Sequence, residues 1–232
     1  MGTEYQFIIK EIPVKGEAYL LLKRAEFHRA VGLLEQAARE AQAQGAVRLL
    51  VASVDPTLPL AKGSYGGVRL EHIHDMHLLE RSLEDSPPLW EGLVLAPLKG
   101  EQAGEWLALY NLGFLQVPNS ATYEAVDLQA AQAEGRQCGF ALAEGAAVGV
   151  YELDPLAQPP EIAGIALNPA FRGQGLGRAL LRAVLTELSR REFHSCRLTV
   201  STANQTAYGL YLAEGFQFVG LKSQWFQVIL TE

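Results

Sequence analysis

Short apolar runs alternate along this chain with longer stretches in which apolar residues return every three or four positions. The short runs read as strands and the longer stretches as amphipathic helices. Glu4 to Glu11 alternates in part and reads as a strand. From about Tyr19 to Gln44 the period turns helical, with Leu34, Ala37, Ala38 and Ala41 on one face and Gly45 as the stop. Val47 to Val54 reads as a strand closed by Asp55-Pro56, Pro59 to Gly67 as a loop, and Val68 to Leu83 as one or two strands. Ser86-Pro87-Pro88 breaks regular structure and is the expected linker.

A second series follows. Gly92 to Leu98 is a short strand, and Gly104 to Leu112 a helix with Trp106, Leu107 and Tyr110 on its apolar side, ended by Gly113. After the turn Val117 to Ser120, Tyr123 to Ala133 is again helical. Cys138 to Ala143 and Ala147 to Leu153 flank Glu144-Gly145 as a hairpin. Glu161 to Leu167 is a strand and Gly175 to Arg191 a long helix, with Leu180, Leu181, Val184, Leu185 and Leu188 as its buried stripe. Cys196 to Ser201 is a strand, and Ala203 to Leu212 a helix capped near Asn204 and ended by Gly215. Phe216 to Leu221 and Trp225 to Leu230 are the closing strands.

The two series echo each other. Arg48-Leu49-Leu50-Val51-Ala52 matches Arg197-Leu198-Thr199-Val200-Ser201, each after an amphipathic helix, and Asp55 falls where Asn204 does. A tandem repeat of two related units accounts for this, and so does coincidence between common helix–strand pairs. Lys23 to His28 contains no glycine loop, so a first copy is degenerate. The expected division is residues 1–88 and 89–232.

Composition narrows the function. The 232 residues suffice for one large domain or two small ones, and an apolar share of 49% favours a packed core over disorder. The net charge of −7 argues against a nucleic-acid partner, which needs a basic face. Cys138 and Cys196 lie far apart and form no CxxC, so neither a redox motif nor a zinc site is signalled. His72, His74 and His77 cluster, but a strand turns His77 away from the other two, and no metal is expected. No run approaches a membrane span, and the first residues lack a basic flank before a long apolar stretch. The expectation is a cytoplasmic protein without a membrane partner.

The chemistry concentrates in Arg172-Gly173-Gln174-Gly175-Leu176-Gly177, between a strand and a helix. Three glycines let backbone approach a ligand closely. The helix start behind them offers unpaired N–H groups and the positive end of a dipole, a seat for phosphate or pyrophosphate. A P-loop is ruled out, because Gly177 is followed by Arg178-Ala179 rather than Lys-Ser/Thr. A dinucleotide fingerprint fails because its third glycine would fall at Arg178.

Ile165 to Gly177 resembles motif A of the GCN5-related N-acetyltransferase (GNAT) family, Arg/Gln-x-x-Gly-x-Gly/Ala, with Arg172, Gly175 and Gly177 in the fixed places. Asn204-Gln205-Thr206-Ala207 and Leu210-Tyr211-Leu212-Ala213-Glu214-Gly215-Phe216 are similar to that family's next motif. The order of elements from Gly92 to Leu230 agrees as well. The resemblance implies an α/β (α+β) GNAT fold, with a mixed sheet splayed at strands 161–167 and 196–201 and a smaller GNAT-like N-terminal unit.

It implies, further, an enzyme that moves an acetyl group from acetyl-CoA to the primary amine of a small molecule or peptide by direct transfer, without a metal. The alternative is a non-catalytic acetyl-CoA-binding sensor or interaction module. The backbone of Gln174 to Arg178 would hold the pyrophosphate with Arg172 orienting the loop, and the strand edge at Ile165, Ala166 and Leu167 would pair with the pantetheine arm. Asn204 would reach the pantetheine or simply cap its helix. Tyr211 would be the acid that protonates the departing thiolate. Glu161 is the candidate base, with ordered water as the alternative. Trp106, Tyr110 and Phe114 read as core or as acceptor pocket. One CoA per chain is expected, and a homodimer is an open expectation.

Overall fold

Residues 17–24 form a strand in the computed structural model, not the start of the helix that their sequence suggests. Their run is apolar on both sides: Leu20 and Leu22 pack into one core while Tyr19 and Leu21 pack into another. A strand buried on both faces shows no alternation, so its period cannot be told from that of a buried helix. The structure describes residues 4–24, 27–55, 58–84 and 92–231. Ser86-Pro87-Pro88 lies outside them.

In chain order the elements are β1 (Glu4–Ile8), α1 (Ile12–Lys15), β2 (Glu17–Arg24), α2 (Phe27–Ala43), β3 (Arg48–Ser53), β4 (Gly63–Tyr65), β5 (Val68–Ser82), β6 (Leu93–Pro97), α3 (Ala103–Phe114), α4 (Ala125–Ala133), β7 (Gln137–Ala143), β8 (Ala146–Asp154), β9 (Glu161–Leu167), α5 (Leu176–Arg190), β10 (Ser195–Ser201), α6 (Gln205–Ala213) and β11 (Gln217–Leu230). Three further expectations are corrected. Gly113 is inside α3 rather than after it, and the closing strands are one continuous β11. The stretch read as a loop before Val68 contains β4, which forms a hairpin with β5.

Contacts gather the chain into two units: Met1–His77 with Ser201–Ala203 and Gly220–Glu232, and Leu78–Val200 with Asn204–Val219. In the first unit β2 and β3 run parallel, joined through α2. Their register is continuous over six pairs, from Glu17 with Arg48 to Leu22 with Ser53. β1 adds antiparallel to β2, and Trp225 to Val228 of β11 pair antiparallel with Leu49 to Ala52 of β3. Ala30, Leu34, Ala37, Ala38 and Ala41 set α2 on one face of these strands.

The second unit holds the strand order β10-β9-β8-β7-β6, with β9 and β10 parallel and the others antiparallel. The stripe expected on α5 is buried throughout: Leu180, Leu181, Val184, Leu185 and Leu188 are at most 1% exposed. Each such side chain stabilises by roughly 1.5–3 kcal/mol through burial. They pack with Leu153, Ile162, Leu198 and Phe216 on one face of the sheet. Trp106, Tyr110, Leu128, Phe140 and Val150 form the core on the other, under α3 and α4.

Candidate active site

β9 and β10 begin as partners and then part. Their register holds for two pairs, Glu161 with Arg197 and Ile162 with Leu198. The Arg197 N–H donates to the Pro160 carbonyl at 2.9 Å. β9 stays paired with β8 as far as Leu167, with one register shift between Glu152 and Leu153, and the Asn168 N–H donates to the Val148 carbonyl of β8 at 2.9 Å. Backbone groups of successive strand residues point to opposite edges, so those of Leu167 and Ile165 turn to the side that β10 has left. A cleft opens there, with hydrogen-bonding groups along one wall. The side chains of Ile165 and Leu167 pack with α5, and that of Ala166 packs with α3.

The glycine loop stands at the end of this wall. Gly173 and Gly175 take φ of 78° and 80°, a left-handed conformation that costs other residues about 1–2 kcal/mol. No side chain caps α5, and its first turn has no acidic residue. The Arg178 N–H turns back to the Gly175 carbonyl at 3.1 Å, while those of Leu176 and Gly177 at the helix start have no side-chain cap, with the positive end of the dipole behind them. The Arg172 Nη2 donates to the Gly113 carbonyl at 2.8 Å, tying the loop to α3. Gly173, Gln174, Gly175 and Arg178 are exposed, and Leu176 and Gly177 are half-buried.

Two close approaches fix the wall. A Cβ on Gly113 would stand 2.6 Å from the Cβ of Ala166 and 3.3 Å from the Leu167 carbonyl oxygen. A Cβ on Gly149 of β8 would stand 2.5 Å from the Ala166 oxygen. Neither role was evident in the sequence, where Gly113 read as a helix stop.

On the other side is α6. The Asn204 Oδ1 accepts from the Ala207 N–H at 3.3 Å, which makes Asn204 the helix cap. α6 has no fully buried residue, and Tyr208, Leu210 and Tyr211 lie half-buried against the α5 core. The Tyr211 ring is 5.8 Å from that of Phe216. Desolvation pushes its phenol up to about 12, although part of the side chain stays exposed. Among the described residues no hydrogen bond engages its hydroxyl.

Glu161 is placed differently from Tyr211. Its Oε2 accepts from the Arg197 Nε at 3.1 Å, at the end of β9 where the two strands are still paired. The structure thus gives the candidate base a cationic partner and sets it at the closed end of the cleft.

Sequence reading also missed a charged cluster. Glu214, just past α6, is 7% exposed and accepts from the Arg182 Nε at 2.8 Å and Nη2 at 3.1 Å. The Arg178 Nε reaches the same carboxylate at 3.0 Å. The available signal was Arg178 and Arg182 one turn apart on α5, with one glutamate in an otherwise apolar segment.

Of the aromatic candidates, Trp106 is core: it is fully buried and its Nε1 donates to the Gly139 carbonyl at 3.0 Å. Tyr110 stacks between Trp106 and Tyr123 and stands with Phe114 over Gly164 of β9. The Tyr123 hydroxyl donates to buried Glu152 at 3.2 Å, and the Arg136 Nη1 donates to it at 2.9 Å. Cys138 and Cys196 are both buried, and desolvation pushes each thiol up to about 12, so neither offers a thiolate at neutral pH. In the first unit, His72 lies 2.7 Å and His77 3.9 Å from the Asp75 carboxylate, while His74 stacks on Trp225. His77 is thus brought to the same carboxylate as His72 rather than turned away from it. Among the described residues no three His, Cys, Asp or Glu side chains are gathered to hold a metal, and no helix is long and apolar enough to cross a membrane.

The family model for the acetyltransferase (GNAT) family matches residues 104–216. A mycothiol acetyltransferase of Thermobispora bispora is 34% identical over 143 residues, which is 56% of this chain and 48% of that protein. The N-alpha-acetyltransferase RimI of Mycobacterium tuberculosis is 35% identical over 88 residues, 36% of this chain and 54% of that protein. The chain spans about half the length of these curated relatives. Among solved structures, a GCN5-related N-acetyltransferase from Sphaerobacter thermophilus matches with a TM-score of 0.59 at 15% identity, over 98% of this chain and 76% of that one. A tandem GNAT protein from the clavulanic acid biosynthesis pathway matches with a TM-score of 0.55 at 17% identity, over 93% and 75%. At these identities the structural likeness speaks for the fold alone.

Proposed function

Residues 104–216 belong to the acetyltransferase (GNAT) family, and from that premise we propose that this chain moves an acetyl group from acetyl-CoA to a primary amine by direct transfer. The observation that carries the reading is the parting of β9 and β10, with an uncapped helix start beside the opening. The N–H groups of Gln174 to Arg178 hold the pyrophosphate, and Arg172 keeps the loop in place through α3. The pantetheine amides pair with the backbone of Ile165 and Leu167 as an added strand. A backbone N–H on that edge stabilises the oxyanion that forms at the thioester carbon.

Tyr211 is the acid. Its phenol, like that of any tyrosine, is protonated at neutral pH, the form needed to protonate the departing thiolate. The attacking amine must lose a proton to Glu161 or to water, and the Arg197 contact at Glu161 favours water. The two buried thiols support transfer without an acyl-enzyme. The acceptor is a small-molecule or peptide amine that approaches from the side of Tyr110 and Phe114. A cytoplasmic location belongs to the same proposal.

The N-terminal unit is read as a degenerate partial GNAT-like copy. Its parallel pair is closed along six residue pairs and lacks a glycine loop, so it takes no CoA of its own. Calorimetry with acetyl-CoA, followed by thiol release over a panel of amines, tests the whole reading. One site per chain with thiol release is the expected result. Binding without release favours the sensor alternative, two sites contradict the degenerate copy, and no binding refutes both functions.

A further inference from the structure

Glu214 is a buried carboxylate that needs one cation and has two. Arg182 alone satisfies it, with one bond to each oxygen. Arg178 adds a single contact to Oε1, and its side chain is 50% exposed. It can leave without stranding the carboxylate. The trio carries a net charge of about +1, because two guanidiniums face one carboxylate.

Arg178 is also the third residue of α5, at the glycine loop. In the acetyl-CoA reading, on which this inference rests, the loop holds the pyrophosphate and the acyl arm runs back along β9. The nucleoside end then lies away from β9, over the first turn of α5. That end carries a third phosphate, a monoester on the ribose 3′ oxygen.

We infer that Arg178 is a specificity-determining side chain for the cosubstrate: its guanidinium turns from Glu214 to the ribose 3′-phosphate and selects CoA over its 3′-dephospho form. The planar fork of arginine suits a phosphate monoester, and Arg182 keeps Glu214 neutralised while Arg178 is engaged.

The test is calorimetric titration of the full chain with CoA and with 3′-dephospho-CoA, for wild type, Arg178→Gln and Arg178→Lys. Wild type should bind CoA about tenfold or more tightly than dephospho-CoA, the size of one charge-assisted hydrogen bond. Arg178→Gln should bring that ratio close to one, and Arg178→Lys should retain part of it. The preference should shrink with added salt. An equal ratio in wild type and Arg178→Gln overturns the inference and leaves the acetyl-CoA reading standing. Failure of both ligands to bind wild type overturns the acetyl-CoA reading itself.

Discussion

Replacing Gly113 with alanine sets two effects of opposite sign against each other. Gly113 is inside α3, where alanine is favoured over glycine by roughly 1 kcal/mol. The new Cβ would stand 2.6 Å from the Cβ of Ala166, and carbon pairs prefer about 3.5–4.0 Å. The neighbour is the end of a short side chain on β9, backed by the Leu167 carbonyl at 3.3 Å, so no rotamer change relieves the overlap. α3 or β9 must move by about 1 Å, and overpacking of this kind costs about 1–3 kcal/mol. The clash outweighs the gain, and the net expectation is a loss of about 1–2 kcal/mol. The displacement falls where the Gly113 carbonyl accepts from Arg172, so acetyl-CoA affinity should drop too. Gly209 supplies the control, since it is inside α6 with nothing within 4 Å of a built Cβ. Gly209→Ala should therefore stabilise by up to about 1 kcal/mol. Urea unfolding reads both as shifts of the midpoint at constant slope. Gly113→Ala as stable as wild type, or more so, would refute the argument that this contact demands glycine.

Tyr211→Phe should lower turnover by about a hundredfold while leaving acetyl-CoA affinity unchanged, and full turnover with chemistry rate-limiting would remove Tyr211 as the acid. Glu161→Gln should keep the shape of the pH–rate profile, because Arg197 already occupies that carboxylate; loss of a limb would restore it as the base. Stability should fall in alkali. Burial raises the thiols of Cys138 and Cys196 from 9.0 to about 12, and the phenols of Tyr123, Tyr151 and Tyr211 from 10.0 to about 12. The native state thus keeps protons that the unfolded chain releases, so this stabilisation is complete below about pH 9 and is lost as pH rises toward 12. A urea midpoint that stays flat from neutral pH to about pH 11 would show that these groups are not desolvated.

The sequence revealed what depends on neighbours along the chain and missed what depends on distant ones. The stripe on α5, the hairpin of β7 and β8 and the glycine loop all follow local rules of period and turn chemistry, and each is in place. β2 was misread because apolar cores on both of its faces erase the alternation. Gly113 was misread because glycine after a helix is the commoner use, and the contact that demands it comes from Ala166. The Lys222-Ser223-Gln224 segment looked like a break because its exposed polar residues carry no trace of the strand's pairing. At the site, Tyr211 and Asn204 could be placed on α6 from their motif, but the Glu161–Arg197 pair and the Arg178–Glu214–Arg182 cluster join residues from separate elements.

The pairing of β11 with β3 bears on how the chain is made. Trp225 sets its ring edge-on against Tyr19 and takes its register from Ala52. The first unit therefore lacks one of its strands after β1 to β3 have left the ribosome, until residues 220–230 are synthesised. Such long-range pairing slows folding, because the loop must close before the contact rewards it. During synthesis β3 waits with an open edge, which is the state most prone to pair with another chain. The yield of native protein should therefore depend on chaperones that hold the nascent chain until its final strand arrives.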